Sequence, residues 1–397
     1  MKILHVIHSL DPRSGGPSNT LRALAAAQAE AGDDVTILAT DVQSAEPWLD
    51  DADYRGKLSL DERLQRVRVE IVKGIGRKGA LRRFRYSREA APRLREMMLS
   101  RRPDVIHIHG LFSHLTTCAA RIGAAAHVPH VMRPAGGLNE FCRAQGNRAG
   151  KNALFHLFVK RDLESALFVH ATSEREAEEL RRILPEARIE VIPHGVEIPS
   201  QEELDSARAL FLSSHLQLKD QRLVLYLSRI DRKKRLDLVV RAMAEAPLAA
   251  GDVALVVAGS DAGFRAEVER LVRELQLERR VFFVGFLEGM MKSGAFAAAN
   301  VFALTSEDEN FGAAAVEALA HGTPTVLTRG VDSHAYSEAA GAGVTVDATP
   351  SAIADGIARM LREDRTAMAA AGRRHAQEKL SWKEICARLR AAYCRMP

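Results

Sequence analysis

The stretch at 306–326, SEDENFGAAAVEALAHGTPTV, sets two carboxylates, Glu309 and Glu317, in an E-x7-E spacing. An apolar run ends at Thr305, Asn310-Phe311-Gly312 opens a helix, and Glu317 falls inside it. At about 1.5 Å of rise per residue, Gly312 to Glu317 spans roughly 7.5 Å, so both carboxylates can reach one bound molecule. Carboxylates paired in this way suit vicinal hydroxyls, and helix-start amides at Phe311 and Gly312 suit phosphate or sugar oxygens. A second cluster lies in LVLYLSRIDRKKRLDLVV, where an apolar run leads into Arg229 and then Lys233, Lys234 and Arg235. Cations on a loop after a buried strand are costly when desolvated and useful when an anion such as a diphosphate binds them. A third is Gly15-Gly16, between the first apolar run and a helix starting near Pro17; the pair lets a backbone approach a ligand closely, although G-x-G-x-x-G is absent.

These residues need a scaffold that brings loops together. The 397 residues suffice for two domains, and 47% apolar with 27% charged residues is an ordinary globular composition, which excludes disordered, collagen-like and coiled-coil chains. Short β-rich runs alternate with amphipathic helical stretches, the pattern of parallel sheets covered by helices. Strands are predicted at 3–8, 35–40, 68–72, 105–109, 130–133, 167–171 and 189–192, then at 223–228, 253–259, 281–285, 301–305, 324–327 and 343–346. The expected architecture is α/β, two doubly wound Rossmann-like domains facing a central cleft. The domains are set at 1–198 and 222–380, with a polar linker at 199–221. The end of the chain, 381–397, forms a helix that crosses back to the first domain, because SWKEICARLRAAY carries an apolar stripe. Ligands bind beyond the carboxyl ends of such strands.

Several motifs fall in one order: the Gly-Gly loop, D-V-I-H-I-H-G (104–110), R-P-A-G-G-L (133–138), H-A-T-S-E-x-E-A (170–177), P-H-G-V (193–196), S-R-I-x-x-K-K (228–234) and E-N-F-G-x4-E-A (309–318). With them the chain resembles the retaining, GT-B-fold glycosyltransferases that include bacterial hexosyl- and mannosyltransferases of glycolipid and exopolysaccharide assembly. The resemblance implies a nucleotide-sugar donor, GDP-mannose or a UDP-sugar, bound mainly by the C-terminal domain. It implies that Glu309 and the Phe311 and Gly312 amides, beside Asn310, hold the donor hexose. Glu317 would hold the ribose diol, Arg229 and Lys234 the diphosphate, and Gly15 and Gly16 would approach it from the other domain. His109 matches the family histidine beside the reacting sugar, and Arg133, Gly136 and Ser173 fall on the acceptor side. Arg235 stands where glycine is frequent, and His194 where asparagine is usual. The acceptor would be a hydroxyl of a glycan or a polyprenyl-linked sugar.

No metal or other cofactor is expected. Asp51 and Asp53 form a D-x-D in a polar loop far from any phosphate signal, and Cys118, Cys142, Cys386 and Cys394 lack the spacing of a zinc site or disulfide framework. His5 and His107 read as core histidines. No secretory leader is read in MKILHVIHSL, so a cytoplasmic location is expected. The net charge of +5 does not suggest nucleic acid, but ten basic residues against two acidic ones lie between Arg77 and Arg102. Interleaved with Leu81, Phe84, Leu94, Met97 and Met98, they read as an interfacial helix for peripheral binding to the inner face of the cytoplasmic membrane. Two other classes use the same cleft: a sugar-nucleotide epimerase, which would turn over donor alone, and a non-catalytic nucleotide-sugar sensor, which would bind without turnover.

Overall fold

The computed structural model describes residues 1–11, 16–41, 61–74, 84–138, 155–249 and 252–395. Gly15, Asp51, Asp53, Cys142 and the basic residues Arg77, Lys78, Arg82 and Arg83, with Leu81, lie outside them.

The chain divides into one unit of residues 1–195 and 382–397 and another of residues 196–381. In the first, strands β1 (Lys2–Ser9), β2 (Asp34–Thr40), β3 (Arg68–Val72), β4 (Val105–His109), β5 (His130–Arg133), β6 (Phe168–Ala171) and β7 (Ile189–Val191) form a sheet of order β3-β2-β1-β4-β5-β6-β7. Every pairing is parallel. The helices used below are α1 (Gly16–Glu30), α2 (Ala90–Ser100), α3 (His114–Ala125) and α4 (Glu174–Ile183). The apolar runs of β1, β4, β5 and β6 are buried because helices cover both faces, as parallel sheets require. The last helix, Trp382–Cys394, supplies part of that cover: Ile385, Leu389 and Tyr393 pack with Ile3, Leu24, Val105, Val131 and Phe168.

In the second unit, β8 (Arg222–Leu227), β9 (Val253–Ala258), β10 (Val281–Gly285), β11 (Val301–Leu304), β12 (Thr325–Thr328) and β13 (Gly343–Val346) pair in the order β10-β9-β8-β11-β12-β13, again all parallel. Strand order reverses between β8 and β11, the topological switch point where ligands bind in open α/β sheets. These two strands are in register only at Val301↔Val224 and Phe302↔Leu225. The flanking helices include α5 (Gln201–Ser214), α6 (Leu236–Ala242), α7 (Arg265–Glu274), α8 (Gly289–Ala298), α9 (Ala313–Ala320), α10 (Pro350–Arg362) and α11 (Arg365–Lys379).

Two expectations are corrected. The stretch expected to link the domains holds α5, which starts at a capping box of Ser200 and Glu203 and buries Leu204, Ala207 and Phe211 in the second unit. It packs so tightly on α8 that a Cβ on Gly294 would lie 2.1 Å from the Ala207 carbonyl oxygen. The basic segment is corrected in part. Helix α2 turns Leu94, Met97 and Met98 into the core of the first unit, so these three of the five apolar residues expected to meet lipid are already covered.

Candidate active site

The site grows from the loops after β8 and β11. At the end of β8, Asp231 caps a short 3-10 turn, Arg232–Lys234, by accepting from the Lys233 amide at 2.9 Å. The Tyr226 hydroxyl donates to the Lys234 carbonyl at 3.3 Å, and Thr305 Oγ1 donates to the Arg235 carbonyl at 2.8 Å. Buried side chains from β8 and from the residue just after β11 therefore hold the basic loop. Arg235 sits in the left-handed region (φ 50°, ψ 43°), which explains why glycine suits this position. Its guanidinium is anchored on Asp237 and Glu307. At Gly259 a Cβ would lie 1.9 Å from the Ser228 carbonyl oxygen, so the neighbouring loop requires glycine there.

The loop after β11 is tied to the segment after β12. The Glu309 amide donates to the Gly330 carbonyl at 2.7 Å, and the Ser333 amide donates to the Phe311 carbonyl at 3.0 Å. Gly312 then takes φ 79° and ψ 56° as the N-cap of α9. A Cβ there would meet Val331 Cγ1 at 2.6 Å and Ser333 Oγ at 2.9 Å, so the N-F-G turn is sterically specified.

This geometry brings the expected residues of the two loops together. Lys234 Nζ donates to Glu309 Oε2, and Lys233 Nζ donates to Asp308 Oδ2 at 2.8 Å. Burial, with Lys233 and Arg229 nearby, pushes the Lys234 ammonium down to about 8. Glu317, on α9, accepts from Lys292 Nζ at 2.7 Å. Sequence reasoning missed Lys292, which lies on α8 outside every motif, and Asp308, which no spacing marks. Arg229 is exposed and, among the described residues, has no carboxylate partner. Each carboxylate of the E-x7-E pair thus faces its own lysine at the switch point, with a third cation beside them.

In the first unit the expected residues are built into the interior. His109 is buried, with Nε2 2.9 Å from His5 Nδ1 and Nδ1 3.4 Å from Arg133 Nη1. Arg133 is buried too and also reaches His194 Nε2 at 2.9 Å; burial pulls its guanidinium down to about 10, against the nearby Glu176 carboxylate. The Gly136 amide donates to Glu176 Oε1 at 2.7 Å, and Ser173 Oγ caps α4 by accepting from the Glu176 amide at 3.1 Å. Gly16 opens α1, where a Cβ would meet nothing within 4 Å. His5, His107 and His109 lie close enough together to hold a metal ion. Their ring nitrogens all have protein partners, however, and Arg133 adds positive charge, so the trio fits a hydrogen-bond network better than a cation.

Two family models match the chain one after the other: the glycosyl transferase 4-like domain over residues 15–195 and glycosyl transferases group 1 over residues 210–375. The chain belongs to the group 1 glycosyl transferases. This glycosyltransferase is 26% identical over 295 residues to an uncharacterized glycosyltransferase of Methanocaldococcus jannaschii, covering 71% of this chain and 73% of that protein. It is 29% identical over 301 residues to the D-inositol 3-phosphate glycosyltransferase of Mycolicibacterium smegmatis, covering 74% of this chain and 67% of that protein. Among solved structures, Anabaena HepE in complex with UDP superposes with a TM-score of 0.74 at 20% identity, covering 99% of this chain and 100% of that one. The fold is accordingly GT-B, two Rossmann-like parallel-sheet domains.

Proposed function

We propose that this glycosyltransferase transfers a hexose, with retention of anomeric configuration and without a metal ion, from a nucleotide sugar to an acceptor hydroxyl. The observation that carries the reading is the pair of lysine–carboxylate contacts, Lys234–Glu309 and Lys292–Glu317, on the loop and helix that meet at the β8/β11 switch point. In this reading Glu309 and the amides of Phe311 and Gly312 hold the donor hexose, and Glu317 holds the ribose diol. An arriving diphosphate competes with Glu309 for Lys234 and is also met by Arg229. As the C1–O bond to the diphosphate breaks, the charge left on the phosphate oxygen falls to these cations and to helix-start amides. The acceptor oxygen bonds to C1 on the face the phosphate leaves, and its proton passes to that phosphate oxygen. No carboxylate need act as nucleophile. His109 lies beside the reacting sugar in this scheme. Anabaena HepE, solved with UDP and with UDP-glucose, supports a nucleotide-diphosphate donor for the fold.

For the acceptor, a hydroxyl of a glycan or of a lipid-linked sugar is the first reading. Peripheral attachment to an anionic membrane then rests on charge, since Arg88, Arg95 and Arg102 are exposed while the apolar face of α2 is buried. Each such residue contributes about 1 kcal/mol near an anionic surface. No helix among the described residues is long and apolar enough to cross a membrane. A second reading, a phosphorylated cyclitol acceptor, is favoured by the relatives named D-inositol 3-phosphate glycosyltransferase. One experiment tests the whole: incubation with UDP- and GDP-sugars and either acceptor, with EDTA and with phosphatidylglycerol vesicles, reading the product's anomeric configuration by NMR. Retained configuration and unchanged rates in EDTA are expected. An inverted product, or loss with chelator restored by Mg²⁺, would contradict the mechanism, and turnover of donor alone would mark an epimerase.

A further inference from the structure

The buried histidines of the first unit form a chain whose direction can be read from its ends. An arginine only donates, so Arg133 Nη1, 3.4 Å from His109 Nδ1, makes that nitrogen the acceptor. A neutral imidazole carries one proton, so in His109 it sits on Nε2 and is donated to His5 Nδ1 at 2.9 Å. His5 must then donate from Nε2 to Gln28 Oε1 at 2.6 Å. With its oxygen so occupied, the Gln28 side chain, which lies against Tyr393, can offer that hydroxyl only an amide N–H. The far end is a carbonyl, which only accepts: His170 Nε2 donates to Ile192 O at 2.7 Å. His170 Nδ1 therefore accepts from His107 Nε2 at 3.2 Å, and His107 Nδ1 accepts from the Tyr393 O–H at 2.8 Å. The two readings meet at Tyr393 without a conflict of protons. Burial, with repulsion from Arg133 and, for His107 and His109, from the neighbouring rings, holds the imidazoles uncharged: His5 lies at about 4, His170 at about 3, and His107 and His109 well below the ordinary value.

We propose that Arg133 holds His109 in the single tautomer with its proton on Nε2, and that His5, Gln28, Tyr393, His107 and His170 complete a one-way hydrogen-bond chain that fixes the ring. This deepens the reading of His109 as the neighbour of the reacting sugar and rests on it for its bearing on catalysis. Both nitrogens of His109 being engaged, the ring exchanges no proton with a substrate; it places the end of β4, where the Gly110 amide donates to the Arg133 carbonyl at 2.9 Å. Arg133, His5 and Gln28 are then positioning residues that act through His109. The last helix enters the chain through Tyr393.

Long-range ¹H–¹⁵N NMR of the full chain labelled at histidine reads the tautomers directly, with His109→Asn identifying the His109 signals. In the wild type at pH 7 the chain requires His5, His107, His109 and His170 all protonated at Nε2 alone. Arg133→Met removes the obligatory donor and should leave His109 in a mixture of tautomers. Gln28→Leu, which leaves Arg133 in place, should keep His109 protonated at Nε2. A wild-type His109 protonated at Nδ1 or at both nitrogens overturns the proposal even if Arg133→Met does not fold. So does an unchanged single tautomer in Arg133→Met, or a changed one in Gln28→Leu. None of these signals needs turnover, so a failure of the transferase reading would show in the activity assay and leave the tautomers as they are.

Discussion

The Lys234–Glu309 contact joins the two loops that the strand order brings to one place. Neither side chain is fully buried, with 11% and 24% of their surfaces exposed, so a ligand can replace either partner. An ammonium held at about 8 by burial and by Lys233 and Arg229 is still mostly charged at neutral pH, and it gains from any anion that arrives. Lys234→Ala should therefore lower kcat/KM by about 3 to 4 kcal/mol, a few hundredfold, since lost charge stabilisation in a transition state is of that order. Steady-state kinetics with saturating acceptor measures it. A tenfold effect or less would reduce Lys234 to a residue that anchors the loop.

At the scale of elements, the turn into α9 aims the amides and Glu309 together, and its shape depends on one glycine. Gly312→Ala forces a Cβ into Val331 and Ser333 at a left-handed φ, at a cost of about 1 to 3 kcal/mol. Gly341 has φ 63° but open space around its Cβ, so Gly341→Ala carries the backbone penalty alone. Thermal melts and donor titration of the two variants should show Gly312→Ala less stable and weaker in donor binding; equal behaviour would mean that the packing around Gly312 is adaptable. The elements themselves were legible in the sequence. All the strand segments predicted from alternating apolar runs are strands, because burial on both faces leaves an apolar signature that length and flanking turns confirm. The linker was misread although Ser200 and Glu203 spelled a capping box, because polar residues between Leu204, Ala207 and Phe211 hid a narrow apolar stripe. Leu94, Met97 and Met98 misled for the opposite reason: helical spacing marks an apolar face but not whether core or lipid covers it. Lys292 left no sequence trace, since its meeting with Glu317 depends on how α8 and α9 lie side by side. The same holds for the histidine chain, where register between β1 and β4 sets His5 against His107.

For the whole molecule, the buried histidines make the first unit more acid-sensitive than the second, where His321 and His375 are lowered as well. His5, His107, His109, His170 and His194 all hold their protons less readily than in an unfolded chain, so the folded state binds fewer protons below about pH 6.5. Their contribution is complete above the unfolded value and is lost as pH falls from about 6.5 towards the folded values of about 4 for His5 and 3 for His170. Each costs on the order of 1.4 kcal/mol at pH 5.5. Calorimetry at pH 7.5 and 5.5 should show the transition of the first unit falling by on the order of 10 °C. An unmoved transition would mean that the imidazoles are charged in the folded state. Whether a nucleotide sugar binds at the β8/β11 switch point, with Glu317 on the nucleotide and Glu309 on the sugar, can be decided by isothermal titration of UDP and GDP into wild type, Glu317→Ala and Glu309→Gln. Losing a charged hydrogen-bond partner costs about 1.5 to 3 kcal/mol. Glu317→Ala should therefore bind the preferred diphosphate about ten- to a hundredfold more weakly, while Glu309→Gln, which frees Lys234 from a competing carboxylate, binds it at least as tightly as wild type and loses turnover. Equal affinities in the two variants, or no diphosphate binding by the wild type, would rule out these roles for Glu309 and Glu317.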